Sequence, residues 1–424
     1  MYGFAVITAV LVGLGHRGVG YATYADSHPD ELQIVGIAEP DEVRRERYAD
    51  RFGVSPENCF VDAESLAAAP QMADVAINGT MDEIHIETTI PLLEAGYDVL
   101  LEKPIAPNEE QLSLLEDAVN RTGRKVVICH VLRYAPFYAA IKERVANGEI
   151  GDIMHIHTTE NVSYHHMAVA FIRGKWRREE TNPMLLAKCC HDLDLICWMK
   201  SGIKPQKVAS FGGRHFFTKQ NAPEGSAERC GDCSIERECQ YSAIRHHVDH
   251  GWWPFYALAG ESNHEQGVVV EDGRKHAHVT ASDYGRCVWH CDNDVVDRQS
   301  VIIEFEDGCV ATHDMVTNSA AGTRRIQITG TKGEIQGDMM EGKFTISRPG
   351  AVSGTETIRE EVQFDLQGDL HGGGDLRLVA DFLSVVRGGG GSISTTSLSD
   401  SINSHLIAYA ADVAMREERV VSID

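Results

Sequence analysis

A short apolar run over residues 8–13 opens directly into Gly-Leu-Gly-His-Arg-Gly, and no other stretch restricts the possible folds as much. Gly13, Gly15 and Gly18 stand in GxGxxG register at a predicted strand-to-helix turn. The first glycine permits the tight turn, and the second lets a pyrophosphate approach the backbone. The third lets the helix pack on the strand. N–H groups at the helix start, around His16 and Arg17, would then hold the diphosphate. An acidic residue, Glu39, ends the second predicted strand, at a gap somewhat longer than the usual ~20 residues. A carboxylate there accepts hydrogen bonds from both ribose hydroxyls and repels a 2′-phosphate. The expected cofactor is therefore NAD, with NADP kept open by Arg44 and Arg45.

The first 130 residues continue the pattern that this loop starts. Strand-like runs at 8–13, 33–39, 74–80, 98–103 and 125–130 alternate with amphipathic stretches, as βαβ units require. Asn108, Gln111 and Gly123 punctuate one helix between the last two runs. After Arg133 the character changes. A helix starts after Pro136 and stops at Gly148, and then strand-like runs at 154–162, 298–308 and 324–338 follow one another with few helices. The expectation is an α/β chain in two parts. A Rossmann domain covers 1–130, and an α/β domain over 131–424 carries a large, mostly antiparallel open sheet. A polar, cysteine-bearing insertion lies at about 218–290, and a last helix runs over about 398–417.

At 424 residues the chain exceeds the usual size of a single core, which agrees with two domains. A formal net charge of −24 disfavours nucleic acid or an anionic membrane as partner. The basic cluster Arg173, Lys175, Arg177, Arg178 is read as a solvated loop. The apolar start lacks a basic leader and flows into the glycine motif, so it reads as a strand and not a signal peptide. Eleven cysteines fit a reducing cytoplasm better than a disulfide framework. Three of them, Cys230, Cys233 and Cys239, have the spacing that wraps a tetrahedral ion. With Cys287 as fourth ligand, or Cys291 instead, they predict a structural zinc; an iron–sulfur cluster and free thiols are the alternatives.

Three segments together resemble the Gfo/Idh/MocA oxidoreductases: GLGHRG, then GTMDEIHIET with LLEAGYDVLLEKPIA, then CCHDLD. That family includes glucose–fructose oxidoreductase, inositol dehydrogenase and NAD-dependent glycosidases. The likeness runs over nearly the whole chain and implies a cofactor at the strand ends of the first domain, with the substrate between the domains. It implies Thr80 and His85 beside the cofactor, Glu102, Lys103 and Pro104 near the nicotinamide, and Arg133 bordering cofactor or substrate. It also implies a homodimer or homotetramer.

Lys103 has a rationale of its own. It ends a central strand, where doubly wound sheets place ligands, and its ammonium can stabilise a developing alkoxide. His191 is the expected general base. The family pattern puts an Asp four residues before this histidine, whereas Ala187 stands there with Lys188 beside it. Lys188 or Tyr164, the latter next to His165 and His166, are candidates to complete the proton transfer.

The expected activity is an NAD-dependent oxidation of a CH–OH group in a sugar, cyclitol or related polyol. The first alternative is a glycoside-cleaving enzyme that oxidises, eliminates, hydrates and reduces back with retained NAD. The second is a non-catalytic nucleotide-binding regulator.

Overall fold

The computed structural model describes residues 5–258, 272–350, 352, 356–365 and 371–423. Part of the expected insertion, 259–271, lies outside them. Six strands form the first sheet: β1 (Ile7–Val12), β2 (Leu32–Ala38), β3 (Cys59–Phe60), β4 (Val75–Asn78), β5 (Asp98–Leu101) and β6 (Val126–Ile128). They run in the order β3-β2-β1-β4-β5-β6 and every pair is parallel. The order reverses beside β1, so the crevice at the carboxyl ends of β1 and β4 is the switch point where such sheets bind ligands. Parallel strands covered on both faces need continuous apolar runs. Residues 9–12 of β1 and all of β4 are buried accordingly.

The second sheet has nine strands: β7 (Ile153–Ser163), β8 (Pro205–Gly213), β9 (Arg298–Phe305), β10 (Val310–Ser319), β11 (Thr323–Gly330), β12 (Glu334–Asp338), β13 (Lys343–Pro349), β14 (Thr357–Gln363) and β15 (Val421–Ser422). Their order is β14-β13-β12-β11-β7-β10-β9-β8-β15. All pairs are antiparallel except β7 with β10. One face packs on the helix Met184–Met199, in which every residue but Lys188 is buried. The expected fold class is therefore correct. No helix among the described residues is long and apolar enough to cross a membrane.

The final helix spans Leu398–Glu417. A helix that the sequence reading did not single out, Gly374–Val386, sends Leu378, Val379, Phe382 and Leu383 into the core of the first sheet. Thr396 then accepts the Ile128 N–H through its carbonyl, and Val127 bridges to Ser397. A late segment of the chain thus lines the edge of the first-made sheet.

The basic cluster is not the solvated loop expected from its charges. Arg173 is buried and donates to the carbonyls of Arg286 and Tyr241. Arg177 pairs with Asp292 and Arg178 with Asp294. The insertion and the residues just after it supply oxygen acceptors that a scan of local charge does not reveal.

Candidate active site

The glycine loop is shaped by contacts that admit no side chain at two of its three glycines. Gly13 has φ +78°, and a Cβ there would lie 2.9 Å from the Thr80 backbone. At Gly18 a Cβ would lie 2.5 Å from the Gly13 carbonyl oxygen. Gly15 differs: its nearest obstacle is the Gly79 oxygen at 3.9 Å. The protein itself does not fill the space beside Gly15, which fits the approach of a ligand to its backbone. The helix that follows, His16–Ala22, has no side-chain cap and no acid in its first turn. The N–H groups of its first turn point the way an anion requires.

We expect Gly18→Ala to destabilise the chain by about 2 kcal/mol through overpacking and to weaken nucleotide binding at least about tenfold. Gly20→Ala in the same helix has nothing within 4 Å of the new methyl and is expected to be neutral or mildly stabilising. Thermal melts and a nucleotide titration of both variants check the contrast.

Glu39 is buried at the end of β2. Its carboxylate accepts the N–H of Leu14 at 2.8 Å and of Asp41 at 3.1 Å, and pairs with Arg44 at 3.3 Å. Arg45 donates to the Glu39 carbonyl. The acid therefore ties β2 to the glycine loop and retains lone-pair capacity for a hydroxyl donor.

The two loop residues between Gly15 and Gly18 are committed to the protein. Arg17 donates to Glu102 at 2.9 Å, to Asp375 at 2.6 Å and to the Tyr21 hydroxyl at 2.6 Å. It joins the glycine loop, the end of β5 and the helix Gly374–Val386 at one guanidinium. The His16 ring stacks on Phe255 of the insertion, with centroids 4.5 Å apart. Glu102, buried, also accepts from Tyr21 at 2.8 Å and from the Lys103 N–H. Burial pushes its carboxyl up, but Arg17 and Lys103 outweigh this and hold it below the usual range.

Thr80 donates to the Asn78 amide oxygen at 2.8 Å. His85 is fully buried, with Nδ1 2.7 Å from the Pro104 carbonyl and Nε2 3.2 Å from the Thr80 carbonyl. It pins the turn after β4 to the bend after β5. Any effect of His85 on a nucleotide passes through those two turns.

Lys103 leaves β5 and reaches across to the second domain, where its Nζ donates to the Ala187 carbonyl at 3.2 Å. Ala187 holds the position of the expected Asp, one helical turn before His191. The missing side-chain acceptor is thus replaced by a backbone one. Burial opposes the Lys103 charge, yet Cys190, Glu102 and Asp82 together raise its pKa. His191 shifts the other way. Burial, then Lys103, Arg324, His130 and His371, hold it well below the usual histidine value. At neutral pH the pair is an ammonium beside an uncharged imidazole, one able to donate a proton and the other to accept one. The buried Nδ1 of His191 has no hydrogen-bond partner among the described residues.

Other expected residues are held elsewhere. Lys188 pairs with Glu160 at 2.9 Å, and Glu160 and Asp192 both engage Arg324, at 2.6 and 2.9 Å. Lys188 is therefore part of an ion network between the helix and β7 and β11. Arg133, 1% exposed, grips Asp194 with two donors at 2.7 and 2.6 Å and also donates to the Thr395 carbonyl. Its contacts are those of a buried clamp within the second domain. Tyr164 packs edge-on against Tyr241 and His246 of the insertion. In the same stretch burial lowers the pKa of His165, and burial followed by Lys188, His165, Arg324 and Lys103 lowers that of His166 further.

Asp82 was not singled out from the sequence. It is buried and accepts from Trp176 Nε1 at 2.8 Å and from Asn182 at 2.6 Å, so it latches the first domain to the second close to Lys103. No pattern in Met-Asp-Glu-Ile-His marks it; only the fold brings its partners, 94 and 100 residues away, to it. His371, 3.1 Å from Asp375, likewise lies beside His191, at 6.0 Å between rings.

Two family models match the chain: an oxidoreductase family with an NAD-binding Rossmann fold over residues 7–130, and its C-terminal alpha/beta domain over 142–423. A putative oxidoreductase, YteT, from Bacillus subtilis is 23% identical over 72% of this chain and 70% of its own length. An inositol 2-dehydrogenase from Saccharopolyspora erythraea is 24% identical over 51% of this chain and 60% of its own. Among solved structures, a levoglucosan dehydrogenase in complex with NADH superposes with a TM-score of 0.72 at 18% identity, covering 99% of each chain. The likeness in these structures is one of fold.

Proposed function

The chain belongs to the Gfo/Idh/MocA family of oxidoreductases, and from that premise we propose that it oxidises a CH–OH group of a sugar, cyclitol or related polyol with NAD. The observation that carries this reading is Lys103, at the carboxyl edge of the parallel sheet, reaching the helix turn that ends in His191. NAD, when bound, accepts the hydride. The backbone of Gly13, Gly15 and Gly18 and the amides at His16 and Arg17 would hold its diphosphate, with Glu39 facing the ribose. The buried carboxylate at Glu39 favours NAD over NADP, and Arg44, already paired to it, is the group that would soften this preference.

The chemistry of the residues follows from their charge states. The Lys103 ammonium donates a hydrogen bond to the reacting hydroxyl oxygen and stabilises the negative charge that grows on it. His191, uncharged, takes the proton. Lys188 and Tyr164 stay candidates for relaying that proton onward, with Lys188 already neutralised by Glu160.

A dehydrogenase of this kind releases NADH when NAD+ is supplied with a panel of cyclitols and aldoses. We expect His191→Asn to lower kcat about 10²–10⁴-fold, as expected for loss of a general base. The Ala187 substitution keeps the glycoside-cleaving cycle in view. Glycoside cleavage without net NADH, with solvent deuterium in the product, would select it instead. Turnover unchanged in His191→Asn would discard the assignment of the base.

The expected homodimer or homotetramer is supported by the outer face of the nine-stranded sheet, where Phe211, Ile302 and Val316 are exposed on adjacent strands. This reading also keeps two bound groups apart. NAD carries the electrons, and a structural zinc in the cysteine-bearing insertion takes no part in the redox step.

A further inference from the structure

The insertion between β8 and β9 has little of its own to hold it together. Tyr241, Val288 and Trp289 join the core of the second domain, and among the described residues the insertion's own separate apolar cluster has just Cys230, Ala243, Leu258 and Val279 as buried members. Short turns join most of its described length. A segment with so small a core of its own gains from a further source of order.

Four sulfurs supply a candidate. Cys230, Cys233, Cys239 and Cys287 line one pocket together with Arg173 and Trp289. An antiparallel bridge between Arg229 and Arg286, with the Cys287 N–H donating to the Glu228 carbonyl at 2.9 Å, puts Cys230 and Cys287 on the two paired strands of one short ladder. Cys233 and Cys239 follow the turns Cys230–Asp232 and Glu236–Glu238. Cys291, the alternative fourth ligand, does not line the pocket.

Arg173 is the second, independent observation. It is 1% exposed, its Nη2 lies 3.7 Å from the Cys230 sulfur, and its Nη1 has no hydrogen-bond partner among the described residues. A buried guanidinium with an unused donor calls for a neighbouring negative charge. Four thiolates around a divalent ion carry a net charge of −2 and supply it.

We infer that Cys230, Cys233, Cys239 and Cys287 bind one zinc ion as a closed tetrathiolate, with Arg173 as its buried counter-cation. The inference rests on the zinc named under the proposed function, and not on the redox assignment. Binding releases the four thiol protons as four Zn–S bonds form, with no change of oxidation state. No three of these sulfurs lie mutually within 4.8 Å, so the ion draws them inward to Zn–S distances of about 2.3 Å. Four sulfur ligands leave no open position, which makes the centre structural. It fixes the chain that continues to Trp253, packed 4.3 Å from His166, and to Phe255 on His16.

Among the described residues, the group whose ligand atoms do approach mutually within 4.8 Å, Cys189, Asp192 and His313, is a weaker candidate. Arg324 already occupies both Asp192 oxygens, at 2.9 and 3.2 Å.

The test is metal analysis of the purified full-length protein by inductively coupled plasma mass spectrometry. About one zinc per chain is expected, retained in Cys291→Ser and largely lost in Cys230→Ser and Cys287→Ser. Should those two variants fail to fold, exchange of the wild-type ion for Co(II) is the independent readout, with the charge-transfer intensity of four thiolate ligands expected. Iron with labile sulfide in place of zinc, a protein that takes up no zinc when dialysed against it, or loss of the metal in Cys291→Ser would each overturn the inference. Metal content is read whether or not any polyol is oxidised, so it fails separately from the enzymatic reading.

Discussion

Replacing Lys103 by Met is expected to lower kcat/KM for polyol oxidation by about 10³-fold or more while changing the dissociation constant of NAD less than about threefold. Three features of the site set this size. The ammonium is partly enclosed, held by the Ala187 carbonyl, and charged because Cys190, Glu102 and Asp82 outweigh the cost of burial. A charge kept in a poorly hydrated place acts on a developing alkoxide more strongly than it would in water. Methionine retains the length and the apolar stem and removes only the charge and the donors. Lys103→Arg keeps the charge but not the point geometry and is expected to fall between the two. Steady-state kinetics on the best polyol, with calorimetric NAD titration alongside, separate the effects. A loss of less than tenfold would remove Lys103 from the chemistry, and a loss of NAD binding of similar size would make it a cofactor residue.

Acid should unfold this protein early and steeply. His246 and His405 are almost fully enclosed, and burial lowers each to about 3, with neighbouring cations or histidines adding to it. His247 is held at about 4. In the unfolded chain these groups bind protons near pH 6.5. Above that value neither state is protonated and the histidines cost nothing. Below it the unfolded chain gains protons that the native fold refuses, so stability falls from pH 6.5 down towards the folded values. Each group contributes a loss of about 1.4 kcal/mol by pH 5.5, and the three together about 4 kcal/mol. His130, His166 and His191 are shifted in the same direction and steepen the curve. Against a net stability of about 5–15 kcal/mol this is a large share. Urea midpoints at pH 8, 6.5, 5.5 and 5 measure it. A flat profile to pH 5 would show that these imidazoles are hydrated or paired in the native state. In His405 the neutral form is built in: its Nε2 accepts the Ile105 N–H at 2.8 Å, a bond that a proton on that nitrogen abolishes.

What the sequence disclosed and what it hid differ in physical kind. The glycine loop, the acid at Glu39, the Glu-Lys-Pro turn and the final helix are local signals, since each depends on neighbours within a turn or a strand. The helix Leu398–Glu417 and five of the parallel strands appear where the pattern puts them, with ends differing by a residue or two, whereas the two-residue strand Cys59–Phe60 was not read from it. Partners that meet only through the fold were not legible. Asp82 finds Trp176 and Asn182, and Arg17 finds Asp375 across 358 residues of chain. Charge alone misled at Arg173: read as part of a solvated loop, it is buried and donates to backbone carbonyls remote in sequence. The absence of an Asp at 187 was visible at once, but its replacement by a backbone carbonyl was not, because every residue has one.

The helix Gly374–Val386 and the Thr396 carbonyl are contributed by the tail of the polypeptide yet finish the wall of the half that leaves the ribosome first. During synthesis that half must therefore wait, with part of its apolar flank uncovered, until almost the entire chain has emerged. A fragment cut near residue 130 would inherit the same gap permanently and would tend to self-associate. Covalent order and completion order run in opposite directions here, so a nucleotide titration is expected to report on an intact carboxyl-terminal segment as much as on the glycine loop.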